Sequence, residues 1–257
     1  MFNYSLFVEL LSNRKREYPT SFIKNEIAQR LLKRLEFINL EPKSILVDGY
    51  IDDAYIAELK SRFPNGMISA DDDKSHDLII LNTIIHLTEN IADRLDQYHE
   101  MLNPEGVLLF STFGDKSFST LNKAFSIIDS LPHTNSMIDA KTWAGMLQSS
   151  SYKSPAIESD IITLTYETTA TLFNDIRELN EPLADTKMNS HFIGKQAWEK
   201  FLIELQKKDI QLEIEALYGY AVRKADDNTL APRPNSNRVS LDELKKQIME
   251  FKDTNKT

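Results

Sequence analysis

Three short apolar runs, each ending in a polar tip, constrain the fold of this chain most. They are Ser44-Ile45-Leu46-Val47-Asp48-Gly49, Asp77-Leu78-Ile79-Ile80-Leu81-Asn82 and Val107 to Phe113. Runs this short and continuous suit strands buried on both faces, as in a parallel sheet. Helical spacing surrounds them. Phe22, Ile23, Ile27, Leu31, Leu32 and Leu35 share one helical face, with Ser21 placed to cap it and Pro42 to stop the chain beyond. Residues 52–62 and 88–102 read as further helices, and Met67 to Ala70 as a short strand. Strands alternating with helices predict an α/β fold: a mainly parallel sheet with helices on its faces. In such sheets ligands sit beyond the carboxyl ends of the strands. Asp48-Gly49, Asn82 and Ser111 to Gly114 all fall at those ends.

Farther along, residues 117–130, 139–149, 168–179 and 195–207 read as helices, with Asp139 as a cap. Ile157 to Tyr166 reads as a strand, and Ile210 to Val222 alternates as an antiparallel edge strand would. A polar stretch with two prolines, from Ala225 to Asn237, reads as a linker. Ser240-Leu241-Asp242-Glu243 then has the pattern of a capping box, and Leu241, Leu244, Ile248 and Phe251 form one stripe. The expected division is a domain over residues 1–225 and a linker with an amphipathic helix over 226–257. That helix either docks a partner or packs on its own domain.

Composition excludes several chemistries. There is no cysteine, so disulfides, zinc–thiolate sites, iron–sulfur clusters and cysteine nucleophiles are ruled out. His76, His99 and His191 show no metal-ligand spacing. Neither a Walker loop nor a Gly-x-Ser-x-Gly elbow is present. A net charge of -9 argues against a nucleic-acid partner. No apolar stretch reaches the roughly 18 residues of a membrane span, and the first residues lack the basic head of a signal peptide. The expectation is a cytoplasmic protein.

The chain resembles the malonyl-(acyl-carrier protein) O-methyltransferase family of biotin synthesis, which are class I S-adenosylmethionine-dependent enzymes. The likeness covers roughly residues 20–225. Ile27 to Leu35, with Pro42 and Ile45-Leu46 after it, is similar to the helix leading into the family's first strand. Asp77 to Asn82 resembles its fourth strand, and Met101 to Gly114 its Leu-x-Pro-Gly-Gly turn and fifth strand. His133-x-Asn135, Leu164-Thr165-Tyr166, Phe192-x-Gly194-Lys195 and Glu213 to Val222 echo later segments in order.

Two departures accompany the likeness. The family's first strand ends in Asp-x-Gly-x-Gly-x-Gly, where glycines let backbone approach the cofactor. Here the stretch is Val47-Asp48-Gly49-Tyr50-Ile51-Asp52-Asp53, with one glycine left and acids near the place of the cofactor's carboxylate. The whole chain has only seven glycines. Second, 28 residues separate Asp48 from Asp77. At about 5 residues per strand and 11 per helix, that is too few for two strands and two helices. One strand–helix pair is therefore expected to be missing.

The resemblance implies S-adenosylmethionine as cofactor if the chain is active, or no cofactor at all. It places cofactor-binding roles on Asp48, Gly49, Asp71 and Asn82, and substrate-binding roles on Tyr18, His133, Asn135 and Arg177. Lid elements are expected near residues 1–20 and 115–150. Four of these roles have a plainer alternative. Asp71 begins a triple-acid loop, Asn82 suits a turn, Tyr18 suits a helix start, and Arg177 suits a solvated helix face. His86-Leu87 stands where the family has Gln-Trp. Two functions remain open: a divergent methyltransferase acting on malonyl-acyl carrier protein, and a non-catalytic pseudoenzyme that binds or regulates another subunit. An acidic carrier protein would need a basic patch, for which Arg30, Lys33 and Arg34, or Arg14 to Arg16, are the candidates.

Overall fold

The computed structural model describes residues 2–13, 20–69, 75–187, 193–207 and 209–224. Tyr18, Asp71, Arg14 to Arg16 and the C-terminal stripe lie outside them.

A first helix, α1 (Tyr4–Ser12), starts where the Asn3 side chain accepts from the Leu6 amide. Helix α2 (Phe22–Arg34) starts at Ser21, whose hydroxyl accepts from the Lys24 amide. There follow β1 (Ser44–Gly49), α3 (Asp53–Arg62), β2 (Met67–Ser69), β3 (His76–Asn82), α4 (Ile91–Met101) and β4 (Leu102–Phe113). The second half comprises α5 (Ser119–Phe125), α6 (Ala140–Ser149), β5 (Tyr152–Tyr166), α7 (Thr169–Glu178), α8 (Lys195–Leu205) and β6 (Ile210–Arg223). Two helices are shorter than their apolar spacing predicts. Asn90 accepts from the amides of Ala92 and Asp93 and so delays α4. Phe118, at φ 62°, sets the start of α5.

One six-stranded sheet runs in the order β2-β1-β3-β4-β6-β5. The strands β2, β1, β3 and β4 are parallel, and β6 is antiparallel to both its neighbours. The antiparallel final strand is as expected, but its place is not: β6 lies inside the sheet and β5 forms the edge. The reason lies on the two faces of β6. Ile214, Ala216 and Tyr218 are buried on one side and Leu217 and Ala221 on the other. A strand with two apolar faces needs neighbours on both edges. Strand β5 is the less buried of the two, and its Glu158 and Asp160 pair with Arg34 and Arg30 of α2. Between β1 and β3 the described residues hold only α3 and β2, so the sheet has one strand–helix pair fewer than the complete class.

Two cores flank the sheet. On one face Ile23, Ile27 and Leu31 of α2 pack with Val47, Ile80, Leu109 and Phe201. On the other, Phe110 and Trp143 lie 5.1 Å apart and pack with Tyr98, Leu147 and Leu217. Each fully buried Leu, Ile or Phe contributes about 1.5–3 kcal/mol. Gly219 lets the Phe110 ring rest on the backbone of β6: a Cβ there would stand 2.1 Å from that ring.

Candidate functional site

The crevice at the carboxyl ends of the parallel strands has two parts, one beside β1 and β3 and one beneath the segments after β4. Beside β1, Gly49 has φ 92°, and a Cβ on it would lie 2.1 Å from the Asn82 carbonyl oxygen. That carbonyl accepts from the Tyr50 amide (2.9 Å). The one glycine left in the loop is thus required for the tips of β1 and β3 to touch. The chain then enters α3 almost at once. Asp52 caps that helix, its carboxylate accepting from the Tyr55 amide (2.7 Å), and Asp53 follows in the first turn.

Asp48 is half-buried. Its carboxylate accepts from the Gly49 amide (2.7 Å) and from the Tyr98 hydroxyl (3.4 Å), and stands 3.9 Å from Arg94. The Arg94 guanidinium lies over the Tyr98 ring at 4.7 Å. Burial, with Asp48 beside it, pushes the Tyr98 hydroxyl up to about 12. Asn82 is fully buried beneath Gly49, with its amide near the Tyr55 hydroxyl but in no hydrogen bond of ordinary geometry. Thr83 next to it has φ 51°, an unusual conformation for a β-branched residue, and its amide reaches Ser111. Of four cavities of 270, 570, 630 and 740 Å³, none is lined by residues 48–53.

The other part of the crevice is a chamber of 270 Å³ walled by α5, α7, α8 and residues 133–137 and 179–183. His133 and Asn135 both line it. The His133 ring stacks on Phe125 at 4.1 Å, and its Nε2 stands 2.9 Å from an Asp129 oxygen. Asn135 donates to the Pro182 carbonyl (2.9 Å) and accepts from the Ala184 amide (2.8 Å). The Asn3 amide donates to the Ala184 carbonyl (2.7 Å), so segments near both expected lid regions meet at residues 182–184. Arg177 is exposed on α7 and does not line the chamber.

A buried charged relay that sequence reasoning missed joins the two parts. The Glu181 side chain is only 5% exposed and pairs with Lys24 Nζ at 2.8 Å and His86 Nε2 at 3.2 Å. His86 Nδ1 lies 3.0 Å from the Thr112 hydroxyl, and its ring meets Phe113 edge-on. Burial alone would raise the Glu181 carboxyl, but Lys24 and His86 overcome it and hold the group at about 2. Positions 24, 86, 112 and 181 share no spacing, so only the His86 position drew notice in the sequence, as part of the pair that stands where the family has Gln-Trp.

The basic residues of α2 are a correction. Arg30 pairs with Glu26 (2.8 Å) and Asp160 (2.6 Å). Arg34 pairs with Glu158 (2.6 Å) and lies 3.6 Å above the Tyr218 ring. Both tie α2 to the edge strand β5, leaving Lys33 as the exposed cation of that set. Among the described residues no group of three acids or histidines is placed to hold a metal, and no helix is long and apolar enough to cross a membrane.

No family model matches the chain. The malonyl-(acyl-carrier protein) O-methyltransferase of Legionella pneumophila subsp. pneumophila is 24% identical to it over 242 residues, spanning 79% of this chain and 84% of that protein. The protein of the same name from Gallionella capsiferriformans is 23% identical, with 86% of this chain and 89% of its own covered. That of Nitrosospira multiformis is 21% identical, with 93% and 97% covered. Among solved structures, a putative methyltransferase from Bacillus halodurans C-125 matches 76% of this chain and 99% of its own at 10% identity and a TM-score of 0.48. Along most of its length, then, this chain is similar to the malonyl-(acyl-carrier protein) O-methyltransferases, over a mainly parallel sheet with an antiparallel end.

Proposed function

We propose that the chain is a non-catalytic relative of these enzymes that keeps their scaffold as a binding protein. The observation that carries this reading is the Asp52 cap on α3. A helix N-terminus beyond a parallel strand ordinarily offers free N–H groups to an anionic ligand. Here a carboxylate already takes one of them, and a second acid stands in the same turn. S-adenosylmethionine would bring its own carboxylate to this place. Side chains at Ile51 and Asp53 stand where backbone would have to approach it, and Asn82 is buried below reach. These residues do not fit that cofactor.

The test is calorimetric titration with S-adenosylmethionine and S-adenosylhomocysteine. Absence of heat up to millimolar ligand is the expected result; micromolar affinity would overturn the reading.

A second reading has its own support, the length of the match to proteins named for methyl transfer. In it, the chain methylates the free carboxylate of a malonyl thioester on acyl carrier protein, a reaction that needs positioning more than a base. Micromolar S-adenosylmethionine binding followed by methyl transfer to malonyl-acyl carrier protein would establish it.

A further inference from the structure

The wall of the 270 Å³ chamber is aromatic and aliphatic: Phe118, Phe125, Met137, Phe173, Ile176 and Trp198 dominate it. Among the described residues no lysine or arginine lines it, and Glu181 is the one carboxylate in that wall. Most polar groups in the wall already have partners, and Glu181 Oε1 stands 2.8 Å from Lys24 Nζ in an ion pair without hydrogen-bond geometry. Lys24 and His86 hold Glu181. Asp129 engages His133 Nε2, and the Thr134 hydroxyl donates to Asn122 (2.9 Å). Asn135 has both its amide atoms on the backbone of residues 182 and 184. What remains open is an apolar interior.

The chamber is also built rather than incidental. Phe118 at φ 62° and Asn180 at φ 53° flank it, and side chains rarely accept that backbone unless the surroundings fix it. Rings stack in series along one side, His133 on Phe125, Phe125 on Phe201 and Phe201 on Trp198, at 4.1, 4.1 and 5.0 Å. Its volume falls just under the roughly 300–1,000 Å³ of drug-sized sites. A short chain or a single ring fits that size.

We propose that this chamber is a binding site for a short uncharged acyl chain, carried as an ester or thioester, and that it rejects a chain ending in a free carboxylate. Such an end would lose its water in an apolar interior whose nearest cation, Lys24, is already taken by Glu181. The chemistry is the opposite of what a malonyl group presents. The proposal deepens the binding-protein reading, and its test uses no S-adenosylmethionine, so either can fail while the other stands.

Methyl hexanoate, S-hexanoyl-pantetheine and hexanoate are titrated at neutral pH into the full chain, followed by calorimetry and tryptophan fluorescence. Of the two tryptophans, Trp198 lines the chamber and Trp143 is buried on the opposite face of the sheet. The ester is expected to bind saturably and change the fluorescence, with hexanoate at least tenfold weaker. Trp198→Phe should remove the optical signal and keep the heat. A thioester tighter than the ester identifies a carrier-borne chain; equal affinity identifies a free ester. Ile176→Trp should fill the chamber and abolish binding. Phe173→Ala, an independent variant, should enlarge it and shift preference toward methyl octanoate. Hexanoate binding as tightly as the ester, no saturable binding of either neutral ligand, or ester binding unmoved by both cavity variants would overturn the proposal.

Discussion

The loop after β1 and the chamber beneath the lid segments belong to one crevice but are held by different forces. Beside β1 the chain closes on itself through backbone: Gly49 against the Asn82 carbonyl, Tyr50 donating to it, and Asp52 ending the loop as a helix cap. Under the lid the chain stays open, and long-range side-chain contacts keep it so: Lys24 and His86 on Glu181, and Asn135 on residues 182–184. The difference is one of range: a loop closed by local hydrogen bonds can change its side chains without losing the fold, whereas a buried ion pair cannot lose one partner cheaply.

The largest expected effect breaks the comparison at the relay. Lys24→Met leaves the buried Glu181 with His86 as its remaining partner, which costs about 3–5 kcal/mol. Urea unfolding should show it, and Lys24→Met with Glu181→Gln should recover part of the loss. The relay also sets an acid limb. The Glu181 carboxyl is lowered to about 2 in the folded chain. Its contribution is therefore complete above the ordinary carboxylate range of about 4.5 and is lost as pH falls toward that lowered value. In Lys24→Met the acid transition should begin at higher pH, as read by circular dichroism.

Next comes Gly49→Ala. It places a Cβ against backbone at positive φ, for which a cost of about 1–3 kcal/mol is expected. Thermal unfolding measures it, and a neutral outcome would mean that the tips of β1 and β3 can part. Smaller again is Asp52→Ala, which removes a helix cap worth about 1 kcal/mol. The same variant sharpens the functional contrast. If S-adenosylmethionine binding appears on removing this carboxylate, the cap is what closes the site; if it does not, Ile51 and Asp53 suffice. The smallest effect is expected outside both regions. Arg34→Ala breaks a partly exposed pair and a ring contact, together about 1 kcal/mol or less. A loss well above that would show that the edge strand β5 depends on α2.

Much of the architecture was legible because it is written in local pattern. The runs at Ser44–Gly49, Asp77–Asn82 and Val107–Phe113 are apolar on both faces, and that alone requires a covered parallel sheet. Caps at Ser21, Asp139 and Thr168 are short-range chemistry and start helices where the residues say. The count between Asp48 and Asp77 was enough to predict the missing strand–helix pair. The position of β6 was not legible, because alternation gives a strand its faces but not its neighbours.

The candidate site divides in the same way. His133 and Asn135 come to one chamber, but Asn135 joins backbone there, and no spacing in the sequence announces its partners at 182 and 184. Arg30 and Arg34 read as free cations because their partners, Asp160 and Glu158, lie more than a hundred residues away. Glu181 carried no signal at all. By itself the sequence determined the alternation of strands and helices and the shortened sheet, since each follows from neighbouring residues. Only the tertiary structure decided which strand forms the edge, which charges are occupied and where an open chamber remains, because those depend on groups that folding brings together across the chain.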